Sequence, residues 1–548
     1  MFEALACLVL LTKPPRLVEQ FPVRWFYVQT NLAVVANVDS LLTVMERAKK
    51  AGYNGMVITD SKFSILDNVY KSYFVNAERV RLKAQELGLS VTPAVADMGY
   101  SGGLLSHDVN LIEGQPVKKM PFVIKGGALV PEPFVQYSNS GLEVVNGDKL
   151  VGFSYQDGPG ETSFSDTSVK HGGSRSIRFE NLKGNARVMH PLVVKPWQLY
   201  RVHFWLKTEG VAPVSEFRCF ALGEGGKVLS FMDTGAKASQ DWTEHTVIFN
   251  SQEFSKLTLY TGLWGGSAGK FWLDDISVEE AGFLNVLRRP GTPVKLEYEN
   301  GQVLKEGELV DKVEDPKLGT TPWMGEYTFN HTAPLIKTKL PEGTRVFASF
   351  SHAAATESGK TAICPSEPKT MEILKDTFSR VATLWKPKGL FLAHDEIRVA
   401  GQCPLCVGSG KTPGQLYAEN LRQCVALSHR TVPGGQTLVW SDMFDPYHNA
   451  GDNYYLSNGT WKESWKGLTS DVTIMNWNSM KPKESLGFFA GLGCHQILSG
   501  FYDSPVENIK PWLAAARGVK GVDGVMYTTW VGDYSQLEAF AKVAFNRN

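Results

Sequence analysis

The residues best suited to chemistry stand at 395 and 396, where the apolar run Gly389-Leu390-Phe391-Leu392-Ala393 ends on His394-Asp395-Glu396. Strands take up branched and aromatic side chains, and carboxylates are seldom buried without a partner. Two adjacent acids closing such a strand therefore mark either a solvated loop or a reacting site. Other polar residues close other apolar runs. Asp60, Asp97 and His352 do so earlier in the chain, and Asp442, the pair Tyr502-Asp503 and Asp533 do so later. Trp440, Trp477 and Trp530 close three of the later runs. Carboxylates walled by tryptophans suit hydrolysis of a glycosidic bond. An acid must protonate the leaving oxygen, negative charge must support an oxocarbenium-like centre, and flat faces must hold the ring. Asp395 and Glu396 are the catalytic candidates; the others except Asp533, with His394, are candidates for holding substrate. Each acid has a plainer alternative as a helix N-cap or loop ligand, and each tryptophan as core packing.

These residues need elements to carry them. A strand over Arg24–Gln29 is followed by a helical pattern in VDSLLTVMERAKKAGY, then by a strand over Gly55–Asp60. The helical pattern NAERVRLKAQELG leads into a strand over Ser90–Asp97. Apolar runs separated by amphipathic helices of about 12 to 15 residues predict βα units and a parallel sheet. From about residue 133 to 282 helical periodicity vanishes, and short alternating strands with Gly, Ser and Asn turns predict an antiparallel sandwich. The βα rhythm returns at Arg345–Ser351 and runs to the end of the chain. The economical fold is an α/β protein, a (β/α)8 barrel with an inserted β-sandwich. Its parts are residues 1–132 (barrel, first part), 133–282 (sandwich), 283–340 (a β-rich extension) and 341–548 (barrel, second part). Nine strand candidates compete for eight places, and 345–351 is the one that is surplus or replaces another. In such barrels functional groups gather at the carboxyl ends of the strands, where the acids and tryptophans stand.

Composition narrows the partners. Lys+Arg and Asp+Glu both number 56, so no basic field recruits nucleic acid or an anionic membrane. The 14 Trp, 18 Tyr and 29 Phe offer many stacking surfaces, a balance common where sugars bind. Seven Cys in 548 residues cannot form a disulfide scaffold, and the odd count leaves at least one thiol free. Cys403-Pro404-Leu405-Cys406 would supply two of the four ligands of a structural zinc, with Cys364 and Cys424 farther off. Without a second close pair the expectation is a disulfide or plain loop thiols, and no metal ligand is assigned. No cofactor is expected beyond a structural calcium, to which Asp274 and Asp275 offer hard oxygens. The start, MFEALACLVLLTKPPRL, has a short apolar run but Glu3 where a signal peptide wants Lys or Arg. An extracellular or periplasmic location is expected, with no clear signal peptide. No stretch elsewhere reaches the roughly 18 apolar residues of a membrane span.

The segment 391–442, an apolar strand ending in Asp-Glu and then a strand ending in Trp-x-Asp, resembles the family 20 glycoside hydrolases, the β-N-acetylhexosaminidases. The likeness continues through Trp477, GCHQILSGFYD and Trp530, over about a third of the chain. Two departures point to a cousin family. Ala393-His394 stand where that family has Gly-Gly, and Gln29 ends the first strand where it has a sugar-gripping Arg. The resemblance implies an exo-acting, retaining hydrolase of an oligosaccharide or glycoconjugate bearing a β-linked N-acetylhexosamine. The substrate's own 2-acetamido oxygen would attack C1. Asp395 would orient the amide, Glu396 would act as acid and then base, and Tyr502 would hydrogen-bond the acetamido oxygen. The inserted segment resembles jelly-roll carbohydrate-binding modules, although no row of exposed aromatics is visible in its sequence. Its plainer role is to shape the barrel entrance or a homodimer contact.

Two other readings stand beside this one. In the first, Glu396 works with Asp442, Asp97 or Asp60 on another sugar. A carboxyl separation of about 5 Å then implies a nucleophile, and about 6.5–9.5 Å an inverting base. In the second, the barrel binds carbohydrate without catalysis.

Overall fold

Eight parallel strands close into a barrel in the computed structural model, which describes residues 21–318, 329–501 and 503–546. The apolar run at the start of the chain and Tyr502 lie outside the described residues. In ring order the strands are β1 (Val23–Gln29), β2 (Gly55–Thr59), β3 (Ser90–Val95), β4 (Gly389–Leu392), β5 (Gln436–Trp440), β6 (Val472–Asn476), β7 (His495–Leu498) and β8 (Val522–Tyr527). β8 pairs back onto β1. Their near-continuous apolar sequences reflect burial on both faces. Tyr27, Phe391, Leu438, Met475, Ile497 and Met526 point into the barrel. Phe26, Val28, Leu390, Leu392, Val439 and Ile474 point out against the helices. Each such side chain, fully buried, contributes about 1.5–3 kcal/mol.

The outer helices are α1 (Val35–Ala51), α2 (Lys71–Leu87), α3 (Pro368–Trp385), α4 (Pro413–Thr431), α5 (Pro482–Gly491), α6 (Ile509–Ala515) and α7 (Leu537–Ala544). Helix α1 buries Val38, Leu41, Met45 and Ala48 at helical spacing and stops at Gly52, whose φ of 97° an L side chain would resist. Helix α4 opens with a reciprocal capping box between Thr412 and Gln415. Arg47 of α1 holds Glu538 of α7 through two hydrogen bonds of 2.7 and 2.8 Å, tying the ring where it closes. Between β5 and β6 the chain forms 3-10 turns at Asp442–Phe444 and Ser464–Gly467. Among the described residues no helix is long and apolar enough to cross a membrane.

Between β3 and β4 the chain leaves the barrel and builds three larger antiparallel sheets, with a two-stranded one at Val145–Asn146 and Lys149–Leu150. A six-stranded sheet has the order Val303–Leu304, Lys295–Tyr298, Arg345–Ala353, Gly114–Lys125, Ala128–Pro131, Ile336–Lys337. The ninth strand candidate therefore lies in this sheet, antiparallel to Gly114–Lys125, and the barrel closes without it. Five- and four-stranded sheets form the sandwich, packed around residues such as Ile177, Phe204, Leu259 and Leu273. On the outer face of the four-stranded sheet, Trp264 touches Phe220 and Tyr260 at ring distances of 5.0 and 6.3 Å. Arg187 lies over Tyr260 and Trp264. Sequence order hides this group because Phe220 and Arg187 come from strands other than the one that carries Tyr260 and Trp264. Asp274, proposed above for calcium, is fully buried, and both its oxygens accept backbone N–H groups, from His171 (2.8 Å), Gly172 (3.1 Å) and Asp275 (2.8 Å).

Candidate active site

The loops after β3 and β4 are stitched together beyond the barrel sheet. Ala393 N–H donates to the Val95 carbonyl (2.8 Å), and Met98 N–H donates to the Ala393 carbonyl (3.0 Å). Gly99 lies directly against the next backbone, where a Cβ would fall 2.0 Å from the Asp395 carbonyl oxygen. Only glycine permits that approach. Glu396 then takes a left-handed conformation, φ 45°, and Ala96 on the neighbouring loop does the same at φ 60°. Such backbone costs of order 1–3 kcal/mol per residue and persists where its surroundings impose it. The turn frees the adjacent acids from the opposite-face rule of an extended strand, so both can serve one cup.

Glu396 is held from three sides. Its N–H donates to Asp442 Oδ2 at 2.8 Å. Its Oε2 accepts the Tyr100 hydroxyl and pairs with Arg398 Nη2 at 2.7 Å. Arg398 is itself buried between the rings of Tyr100 and Tyr455. Burial pushes the Glu396 carboxyl upward, but the Arg398 charge and the Tyr100 hydrogen bond outweigh it and leave the group below its ordinary value. Asp395 has the opposite balance: burial, then the charges of Asp442 and Glu396, hold its carboxyl well above the usual range. Asp97 is pushed up to about 7 by burial and by the charge of Asp60.

The other predicted acids are already engaged. Asp442 is fully buried, and its Oδ2 accepts from Glu396 N–H and Asn449 Nδ2 (2.9 Å) while its Oδ1 accepts Trp477 Nε1 (3.1 Å). It organises the cup floor. Asp60 accepts the N–H groups of Leu32 and Lys62 and the Tyr73 hydroxyl, and caps the 3-10 turn Ser61–Ile65. Asp503 accepts the Thr529 hydroxyl and the Trp530 N–H, fixing the loop that carries Trp530. Asp533, at the end of that loop, accepts the Ser535 N–H (2.8 Å).

The tryptophans meet in one wall. Trp440 contacts Trp477 and Trp530 at ring distances of 6.4 and 5.7 Å, and Trp477 meets Trp530 at 6.2 Å. Trp440 is buried as the uppermost layer of the barrel interior, whereas Trp530 is 40% exposed. Two predicted residues stand elsewhere. His394 is fully buried behind β4, 3.0 Å from Asn420 of α4, and burial lowers its imidazole to about 4. His352 is buried in the six-stranded sheet, 3.1 Å from Asn250 of the sandwich. Neither reaches the cup.

Sequence reasoning missed Tyr100 and Arg398. Arg398 carried a signal, a cation two residues past the acid pair; Tyr100 carried none, since it is 296 residues from its partner. The rim also includes Tyr454 and Tyr455, and Phe231 of the inserted sandwich packs on Tyr455 at 4.5 Å. A hollow of about 940 Å³ near Phe21, Lys510 and Asp523 opens at the amino-terminal end of the strands, the pole where barrels of this type carry stability rather than chemistry.

No protein-family model matches the sequence, and no curated protein does. Its likenesses to solved structures are weak. A family 20 β-N-acetylglucosaminidase aligns over 96% of this chain and 70% of its own, at TM-score 0.36 and 9% identity. The rhamnosidase from Novosphingobium sp. PP1Y aligns over 95% of this chain, at TM-score 0.33 and 10% identity; the chain spans 58% of that protein's length. A structure described as a CBM4 matches 26% of this chain and 98% of its own, at TM-score 0.19 and 13% identity.

Proposed function

We propose that the chain hydrolyses O-glycosidic bonds at the end of an oligosaccharide or glycoconjugate, with a β-linked N-acetylhexosamine as the sugar removed, as a cousin of the family 20 hydrolases. One observation carries the reading: Asp395 and Glu396 share a cup with a wall of three touching tryptophans, and their surroundings push their proton affinities apart. Divergent environments for neighbouring acids are how one site supplies both a proton and a negative charge. The tryptophan faces would hold the ring. Asp395 would accept the acetamido N–H as it ionises and offset the oxazolinium. Glu396, rested as a carboxylate by Arg398 and Tyr100, would take up its proton as substrate displaces those donors, protonate the leaving oxygen and then activate water.

A second reading has its own support. Because Asp395 favours the proton and Glu396 the charge, Asp395 would be the acid and Glu396 the nucleophile or base, with no need of an acetamido group. The occupied oxygens of Asp442 and Asp60, all accepting hydrogen bonds from the protein, count against either as the second carboxylate. Paired aryl glycosides, with and without the 2-acetamido group, separate the two. Cleavage of the acetamido sugar alone, abolished in Glu396→Gln, supports substrate assistance. Cleavage of plain sugars supports the second reading, and inertness toward the whole panel sinks both.

A further inference from the structure

Away from the cup, three thiols and one acid converge in the interior. Glu113 precedes the strand Gly114–Lys125, Cys364 stands just before α3, and Cys403 and Cys406 lie at the cap and in the first turn of the short helix Pro404–Gly408. All four are fully buried, and their ligand atoms lie within 4.8 Å of one another. Cys364 Sγ is 3.4 Å from Cys403 Sγ and 3.6 Å from Cys406 Sγ.

These separations discriminate between two kinds of bonding. A disulfide brings its sulfurs to about 2.05 Å, far shorter than either distance. Sulfurs about 2.3 Å from a tetrahedral ion stand about 3.8 Å apart, close to both. The carboxylate is turned to the same centre. Glu113 Oε1 accepts the N–H groups of Gln402 (2.7 Å) and Cys403 (2.8 Å), while Oε2 lies 3.5 Å from Cys406 Sγ. Ser366 Oγ is 3.1 Å from Cys406 Sγ, the outer contact that steadies a metal-bound thiolate.

We infer that Glu113, Cys364, Cys403 and Cys406 form a closed, four-coordinate structural zinc site. Soft thiolates select zinc over calcium or magnesium, and four protein ligands leave no open position for catalysis. As zinc enters, the thiols release their protons to solvent. The ion joins three distant segments: the six-stranded sheet, the approach to α3 and the loop that leaves Asp395-Glu396. The inference does not depend on the glycosidase reading.

The test uses the full chain, purified under reducing conditions without chelator. Plasma mass spectrometry is expected to find about one zinc per chain. After zinc removal, added Co²⁺ should give thiolate-to-cobalt charge transfer in the near ultraviolet and intense visible bands of tetrahedral cobalt. Cys403→Ser should weaken zinc binding at least about tenfold, while Cys424→Ser, at a buried thiol outside the cluster, should leave it unchanged. If Cys403→Ser does not fold, competition between wild type and a chromogenic zinc chelator reads the affinity directly. Protein that carries no zinc and gives no cobalt spectrum would overturn the inference. So would unreduced peptides in which Cys364 is joined to Cys403 or Cys406.

Discussion

Arg398 turns back on Glu396, two residues before it, and its Nη2 sits 2.7 Å from Glu396 Oε2. The guanidinium side chain is 5% exposed and the carboxylate side chain 28%, so the pair is shielded on one side and wet on the other. Substrate entering from the wet side therefore meets a carboxylate already oriented. Removing Arg398 removes both the orientation and the depressed proton affinity.

Arg398→Ala should move the limb of the pH–rate profile that Glu396 sets, the basic limb if it is the acid and the acidic limb if it is the nucleophile, upward by roughly one to three pH units, the range of a carboxylate losing a close cation. Arg398→Lys should restore part of the shift. The profile is measured with whichever aryl glycoside the wild type cleaves. A profile with neither limb moved in the Ala variant would mean that Arg398 does not govern Glu396.

Asp97 makes stability fall as pH rises. Folded, it holds its proton to about 7, against 3.8 for the free group, so the native state binds more protons between those values. Its unfavourable contribution is absent below the lower value and complete above the upper, at no more than about 4 kcal/mol. Asp97→Asn should therefore raise the melting temperature more at pH 8 than at pH 4. Equal changes at the two pH values would show that Asp97 titrates normally.

Gly99→Ala places a Cβ where the Asp395 carbonyl oxygen already stands. The loops must part, at a stability cost of about 1–3 kcal/mol, and a misplacement near 1 Å costs on the order of a hundredfold in rate. Turnover should collapse while the protein still melts cooperatively. A variant with wild-type kcat and KM would remove Gly99 from the site.

Trp477 and Trp530 should separate by kinetics. Trp477→Phe keeps a ring but deletes the Nε1 donor to Asp442, costing about 1 kcal/mol or more at a buried acceptor and lowering kcat. Trp530→Ala removes an outer wall and should chiefly raise KM. The reverse pattern would assign the wall to Trp477.

The barrel was legible because its strands are short, almost wholly apolar and separated by amphipathic helices. The ninth candidate differed in pattern. In Arg345–Ala353, Ser349 and Ser351 interrupt the apolar residues, an alternation typical of an antiparallel sheet with one poorer face rather than of a doubly covered parallel strand. His394 was misplaced for a similar reason. It is three positions from the inward-facing Phe391, so period-two alternation turns it outward to α4. Asp395, Glu396 and the three tryptophans were visible because strand ends are visible. Tyr100 was not, because it meets Glu396 only after the barrel closes; Arg398 was in view two residues past the acid pair, and the thiol cluster only in part, because Glu113 joins Cys364, Cys403 and Cys406 only in the fold.

The interruption between β3 and β4 also orders events during synthesis. The ribosome releases β1, β2 and β3, then the whole of residues 96–388, before β4 exists to pair with β3. At ordinary elongation rates of about 5–20 residues per second, that interval lasts tens of seconds. For its duration the nascent half-barrel carries two unpaired parallel edges, the kind of surface that invites wrong partners. The antiparallel sheets emerge meanwhile and can fold from their own strands, so a chaperone's burden on this chain falls on its first hundred residues.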